Sequence, residues 1–230
     1  MRPMTAPSQM PLPLEYRAAH GRDDFLVSQC NAEAVAALED WRAWPGGRMA
    51  LVGPARAGKT HLAEVWRAQT GAALVAAAEL AGAETELLAE GSLVVEDVES
   101  AAGEAAVERA LFHLHNLMAA RGHALLLTGR EAPARWPVRL PDLASRLAAL
   151  PVARIAPPDD ALLSAVLVKL AADRGLALRP AVVTYLVRRM ERSFAAADRL
   201  IAALDRASLA ARRPVSERLA AEILAREGRD

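Results

Sequence analysis

The sequence predicts an α/β fold, a parallel sheet covered by helices on both faces and followed by an all-helical segment, and three observations carry that prediction. A glycine-bracketed loop, Gly53-Pro54-Ala55-Arg56-Ala57-Gly58-Lys59-Thr60, stands between a buried-strand pattern over 48–52 and an amphipathic helix over 61–70. Apolar strand runs then alternate with helical stretches up to residue 155, the order that builds a parallel sheet with ligands at its carboxyl edge. From 159 onward four helical patterns follow one another without a strand.

The loop has the P-loop spacing, and its strand-before, helix-after context is the one the motif requires. Glycine lets the backbone curl so that successive N–H groups of residues 53–60 face phosphate oxygens, and the helix opening at Gly58 adds its dipole. Lys59 is placed to reach the β- and γ-phosphates, and Thr60 to hold Mg²⁺. The expected cofactor is therefore ADP or ATP with Mg²⁺.

Composition sets the outer bounds. A length of 230 residues allows one ordinary domain and a smaller one. Lys plus Arg and Asp plus Glu are equal at 28 each, which argues against a protein that holds DNA mainly by neutralising phosphates. Cys30 stands alone, so no internal disulfide forms, and the amino terminus lacks the apolar core of a signal peptide. No run reaches membrane-spanning length, and a cytoplasmic setting is expected.

Taken in order, the chain begins with a proline-rich stretch, expected as a flexible tail over 1–20. Within it, Gln9-Met10-Pro11-Leu12-Pro13-Leu14 sets an amide ahead of two leucines that point the same way in an extended chain, the layout of a docking peptide. Phe25-Leu26-Val27 leads to Asn31, a candidate N-cap for a helix over 32–44 that ends at Pro45-Gly46-Gly47. After the P-loop helix come a weak strand over 72–77, a polar helix over 79–90 and a strong strand over 93–95. Glu96, Asp97 and Glu99 follow at once, where a nucleotide fold carries its Mg²⁺-binding and water-orienting acids. A long helix over 104–121 precedes the strand over 124–127, which runs into Thr128-Gly129-Arg130. Prolines break the next loop; a short helix over 143–150 and a last strand over 152–155 complete the α/β part, expected over 21–156. Helices over 159–174, 180–190, 193–211 and 216–225 make a lid, expected over 157–230. His113 and His115 are two apart on a helix and face different ways, a poor metal pair.

A P-loop base followed by a helical lid resembles the AAA+ family, and Leu140-Pro141-Asp142-Leu143-Ala144-Ser145-Arg146-Leu147 resembles the box VII segment of its DnaA-related members. The resemblance implies that Arg146 is an arginine finger acting in trans on a neighbour's nucleotide. It implies that Phe25, Leu26 and Val27 lie on the adenine side, that Thr128 is sensor 1, and that Glu96 and Asp97 are the catalytic and Mg²⁺-binding acids, with Thr60 and Glu96 as metal ligands. Leu204-Asp205-Arg206-Ala207-Ser208 resembles a segment of the lid. The tail hexapeptide is similar to the motif with which regulatory inactivators of DnaA bind the sliding clamp, the β subunit of DNA polymerase III.

Two departures stand out. Glu96 occupies a position where the family usually has Asp, and the sensor 2 arginine aligns with Ala195, with Arg192 and Arg199 nearby. Both suit a protein that holds nucleotide more than it hydrolyses it. The resemblance then implies a regulator of replication initiation that binds the DNA-loaded clamp and promotes hydrolysis of DnaA-bound ATP, touching DNA only through the clamp; a homo-oligomer stays open. The alternative is a DnaA-like initiator or helicase loader, in which a helix-turn-helix module would follow the lid, and none follows it in this sequence.

Overall fold

The computed structural model describes residues 26–211 and 213–227. The hexapeptide Gln9, Met10, Pro11, Leu12, Pro13 and Leu14, and Phe25, lie outside the described residues. Five strands form one parallel sheet in the order β2-β3-β4-β1-β5: β1 Arg48–Val52, β2 Ala73–Ala76, β3 Leu93–Glu96, β4 Leu125–Gly129 and β5 Val152–Arg154. Helices α1 (Ala32–Glu39), α2 (Lys59–Thr70), α3 (Thr85–Leu88), α4 (Val98–Ala101), α5 (Ala105–Arg121) and α6 (Pro141–Ala148) lie between and beside the strands.

Successive side chains of a strand point to opposite faces, so the near-continuous apolar runs feed two cores. Met49, Leu51, Val94 and Leu126 pack with Leu38 of α1 and Leu62 and Trp66 of α2. Leu93, Val95, Leu125 and Leu127 pack with Leu111, Leu114 and Met118 of α5 and Leu143 and Leu147 of α6. Beyond β5 the described residues contain helices only: α7 (Asp160–Asp173), α8 (Pro180–Val187), α9 (Phe194–Ala211) and α10 (Glu217–Glu227). They build a third core around Leu167, Leu186, Leu200, Ile201 and Leu204. Asp159 caps α7 by accepting from the Leu162 N–H at 2.7 Å. Among the described residues no helix is long and apolar enough to cross a membrane.

Three local expectations are corrected, one by a tertiary contact and two by local structure. The helix expected over 32–44 stops at Glu39 and continues as 3-10 turns at Trp41–Ala43 and Pro45–Gly47. Trp44 leaves the helix to stack on Trp66, with ring centroids 5.3 Å apart, while Trp41 meets the same ring edge-on at 6.2 Å. The Trp44 indole N–H then donates to the Ala37 carbonyl at 2.6 Å, one of the acceptors a helix end leaves open. Asn31 does not cap α1 with its side chain. It holds the preceding turn, accepting from the Ser28 N–H at 2.8 Å and donating to the Leu26 carbonyl at 3.0 Å. The polar helix expected over 79–90 is a 3-10 run at Ala77–Gly82 followed by the single turn α3. Gly82, which costs a helix interior about 1 kcal/mol relative to alanine, marks the break.

His113 and His115 diverge as their spacing predicts: His113 is exposed, 3.1 Å from Glu86, and His115 is buried. Burial, with the charges of Arg48 and Arg146 adding to it, pushes the His115 imidazole down from 6.5 to about 4. The unfolded chain gains a proton as pH falls through 6.5, whereas the folded chain resists until about 4, so stability present at neutral pH is lost across that window. From this group we expect unfolding at pH 5 to be easier by about 2 kcal/mol than at pH 7. Urea unfolding of wild type and His115→Gln at both pH values checks it; an equal pH dependence in the two proteins refutes it.

Candidate nucleotide site

β1 delivers the glycine-bracketed loop to the carboxyl edge of the sheet, between β4 and β5. Gly53 is required there by close approach: a Cβ would stand 2.5 Å from the Ile155 carbonyl oxygen just beyond β5. Gly58, at φ +99°, turns the chain into α2, and Leu62 N–H makes the first helical bond to its carbonyl at 2.9 Å. The amides of Lys59 and Thr60 therefore open the helix without an intrahelical acceptor, the arrangement that favours anions. Ala57 is buried beneath the loop, whereas Pro54, Ala55, Arg56 and Thr60 are exposed.

Lys59 folds across the loop, its Nζ donating to the Gly53 and Pro54 carbonyls at 2.7 and 2.9 Å. Partial burial lowers its pKa, the charge of Arg130 lowers it further, and Asp97, Glu99 and Glu96 oppose both. The loop and the acids thus share one electrostatic neighbourhood.

The three acids after β3 separate in role. Glu96 is half-buried at the strand end. Asp97 is exposed with a left-handed backbone at φ 53°, and its N–H donates to Thr128 Oγ1 at 2.9 Å. Thr128, 2% exposed, ties the ends of β3 and β4 together. Glu99 accepts from the Arg130 and Glu131 N–H groups at 2.7 and 2.9 Å, so its carboxylate staples the loop after β4. Asp97 and Arg56, at φ 62°, are the two non-glycine residues with positive φ among the described residues, and both sit at this edge. Such strain, of order 1 kcal/mol each, gathers at functional sites.

Leu26 lines a cavity of ≈ 360 Å³ with His61 of α2, Leu162 and Val166 of α7, and Phe194 of α9. Val27 packs against the core beneath α1 and α2. A larger cavity of ≈ 630 Å³ is lined by Gly53, Pro54 and Ala55 together with Cys30, Arg130 and Arg154. Among the described residues no group of three or more His, Cys, Asp or Glu is placed to hold a metal.

Neither candidate near the aligned sensor 2 position points an idle guanidinium at the loop. Arg192 pairs with Asp160 at 2.7 Å and donates to the Pro158 carbonyl at 3.1 Å, and Arg199 pairs with Glu227 at 3.3 Å and Glu191 at 3.5 Å. The lid meets the loop through Glu191, which pairs with Arg56 at 2.9 Å; that hydrogen bond holds the Glu191 carboxyl below its ordinary range.

Arg146 is exposed on α6, and both of its contacts lie on α5. Its Nη1 donates to Asn116 Oδ1 at 2.6 Å, and the guanidinium stands 4.9 Å from the centroid of the Phe112 ring. Sequence reasoning missed two residues. Glu108, 4% exposed, accepts from the N–H groups of Gly103 and Arg139 through Oε1 and of Leu140 through Oε2, at 2.8, 2.9 and 2.8 Å. Burial pushes its carboxyl up, but the three amides and the charge of Arg139 outweigh it and hold the group below its ordinary value. A charged residue inside the apolar stripe of α5 was the available signal. Phe194 is the second, and its contact with Gly58 has no local signature.

Residues 160–223 match the family described as "Hda, lid domain". Among solved structures the chain is similar to domain III of the replication initiation protein DnaA from Thermotoga maritima, at 19% identity and TM-score 0.73, over 87% of this chain and 93% of that one. It is similar to AMPPCP-bound DnaA from Aquifex aeolicus at 21% identity and TM-score 0.58, over 73% of this chain and 59% of that one, less than two thirds of its length. A RuvB variant from Thermotoga maritima aligns at 17% identity and TM-score 0.68, over 86% of this chain and 69% of that one. At these identities the structural likeness is one of fold.

Proposed function

We propose, from the premise that this chain is an AAA+ protein related to DnaA and Hda, that it regulates replication initiation by promoting hydrolysis of DnaA-bound ATP. The observation that carries this reading is the setting of Arg146: exposed, and braced by Asn116 and Phe112 of α5 instead of residues of its own phosphate loop. A guanidinium held that way suits a finger for a neighbour's phosphates, where it neutralises charge developing in the transition state. The hexapeptide Gln9 to Leu14 would bring the chain to the DNA-loaded sliding clamp, on the strength of its sequence likeness. The division into tail (1–20), base (21–156) and lid (157–230) belongs to the same proposal, and the separate apolar core of the lid helices supports it.

The residues present fit a nucleotide. At Gly53 and Gly58 a Cβ would strike the Ile155 carbonyl and the Phe194 ring, so the loop keeps a bare glycine backbone there; residues 53–60 would hold the phosphates of ADP or ATP, and Leu26 with the apolar cavity beside it would take the base. Thr60 and Glu96 would hold Mg²⁺, which supplies charge neutralisation between phosphate oxygens. Asp97 would assist from the strand end, and Thr128 would sense the phosphate from β4. Committed partners for Arg192 and Arg199, and Glu96 in place of Asp, favour a nucleotide holder over an efficient ATPase.

Lys59→Ala should weaken ADP binding by about tenfold to a hundredfold, because it removes the cation at the mouth of the cradle. Equal thermal shifts with ADP for wild type and variant defeat that assignment. The regulatory reading itself is tested by following hydrolysis of DnaA-bound ATP with this protein, the clamp and DNA added singly and together. Stimulation that needs all of them supports it; hydrolysis unchanged in the full mixture removes it.

A further inference from the structure

We infer that Phe194 is the contact through which a bound nucleoside holds the lid, so that the base moiety, and not the phosphates alone, sets the position of α9. The inference rests on the nucleotide reading and adds to it a residue that reports on the nucleoside.

Phe194 is the first residue of α9. Its ring lies directly on the phosphate loop: a Cβ added at Gly58 would stand 2.8 Å from Cε2 and 3.4 Å from Cδ2. The same side chain lines the ≈ 360 Å³ cavity with Leu26, Leu162 and Val166. One aromatic ring thus bridges the last glycine of the loop and the apolar space beside it. The turn that delivers the ring is anchored twice. Glu191 is paired with Arg56 of the loop at 2.9 Å, and Ser193, 2% exposed, accepts from the Ala196 N–H through Oγ at 3.1 Å.

A ligand that places phosphates on the loop and an aromatic group in the cavity meets this ring; an inorganic polyphosphate meets only the loop. Because an aromatic face packs on any base, the contact couples the lid to the presence of a nucleoside without a charged lid residue reaching the phosphates. It also explains why position 58 admits only glycine twice over, by φ and by the ring above it.

The test is isothermal titration of the full chain with ADP and with pyrophosphate, joined to hydrogen exchange over α9. Phe194→Ala should weaken ADP by about tenfold more than it weakens pyrophosphate, and Phe194→Trp should stay within about threefold of wild type for both. ADP should slow exchange at residues 194–199 in wild type and in Phe194→Trp, and not in Phe194→Ala. Retained pyrophosphate binding shows that the alanine variant has kept its loop. Equal losses for both ligands overturn the inference, since the ring then only props the loop, and so does unchanged ADP binding. Wild type that binds no ADP defeats the nucleotide reading itself, and the inference with it.

Discussion

Arg146→Ala is expected to lose stimulation of DnaA-bound ATP hydrolysis by about 10³-fold or more while still binding the clamp and ADP, because an arginine finger contributes on that scale and serves the neighbour's phosphates. The side chain is exposed and its partners are one amide and one ring, so the loss should leave stability within about 1 kcal/mol of wild type. Stability and activity therefore separate in one variant. Arg146→Lys keeps the charge but loses the planar fork that meets two oxygens and the flat face that lies near Phe112, and it should rescue poorly. Replacement of Gln9, Leu12 and Leu14 by alanine should behave differently. On the proposed reading that variant lacks only proximity, so raising its concentration should recover hydrolysis in the mixed assay, whereas excess Arg146→Ala should not. Wild-type stimulation by Arg146→Ala would place the activity elsewhere.

Glu108→Ala is expected to destabilise the fold by about 3 kcal/mol, a large effect for one residue, because three part-buried N–H groups lose their buried acceptor together. Two of those amides, Arg139 and Leu140, lie immediately before α6, so the same carboxylate fixes the start of the helix that carries Arg146. Glu108→Gln should lose less than alanine: its oxygen can still accept, but its amide nitrogen meets a donor it cannot bond. The carboxyl is held below its ordinary value, so its contribution is present at neutral pH and is lost as pH falls through the folded value. Urea unfolding at neutral pH provides the measurement, and a loss under about 1 kcal/mol in the alanine variant rejects the role.

What could be read along the chain is what backbone geometry makes local. The P-loop pattern needs only its own glycines, Lys59 and Thr60 between a strand and a helix, so the strand-loop-helix at the carboxyl edge of the sheet was legible before any contact was known. Apolar runs over 48–52, 93–95 and 124–127, and the repeated 3.6-residue pattern after 159, report burial through periodicity, and the sheet and the lid helices follow them closely. The acids after β3 were legible as a group but not as individuals, because Glu99 turned to the amides of residues 130 and 131 only once β3 and β4 lay side by side. The same holds for Trp44, whose helix-forming neighbours were outweighed by a stacking partner on α2. It holds for Glu108, whose acceptor role depends on amides 31 and 32 residues away, and for Arg56, whose partner Glu191 is 135 residues away. Hydrophobic burial is non-directional and leaves its period in the sequence, but a hydrogen bond or ring contact needs a particular atom within about 3–4 Å, and only the order β2-β3-β4-β1-β5 and the seating of α9 on the loop decide which atoms those are.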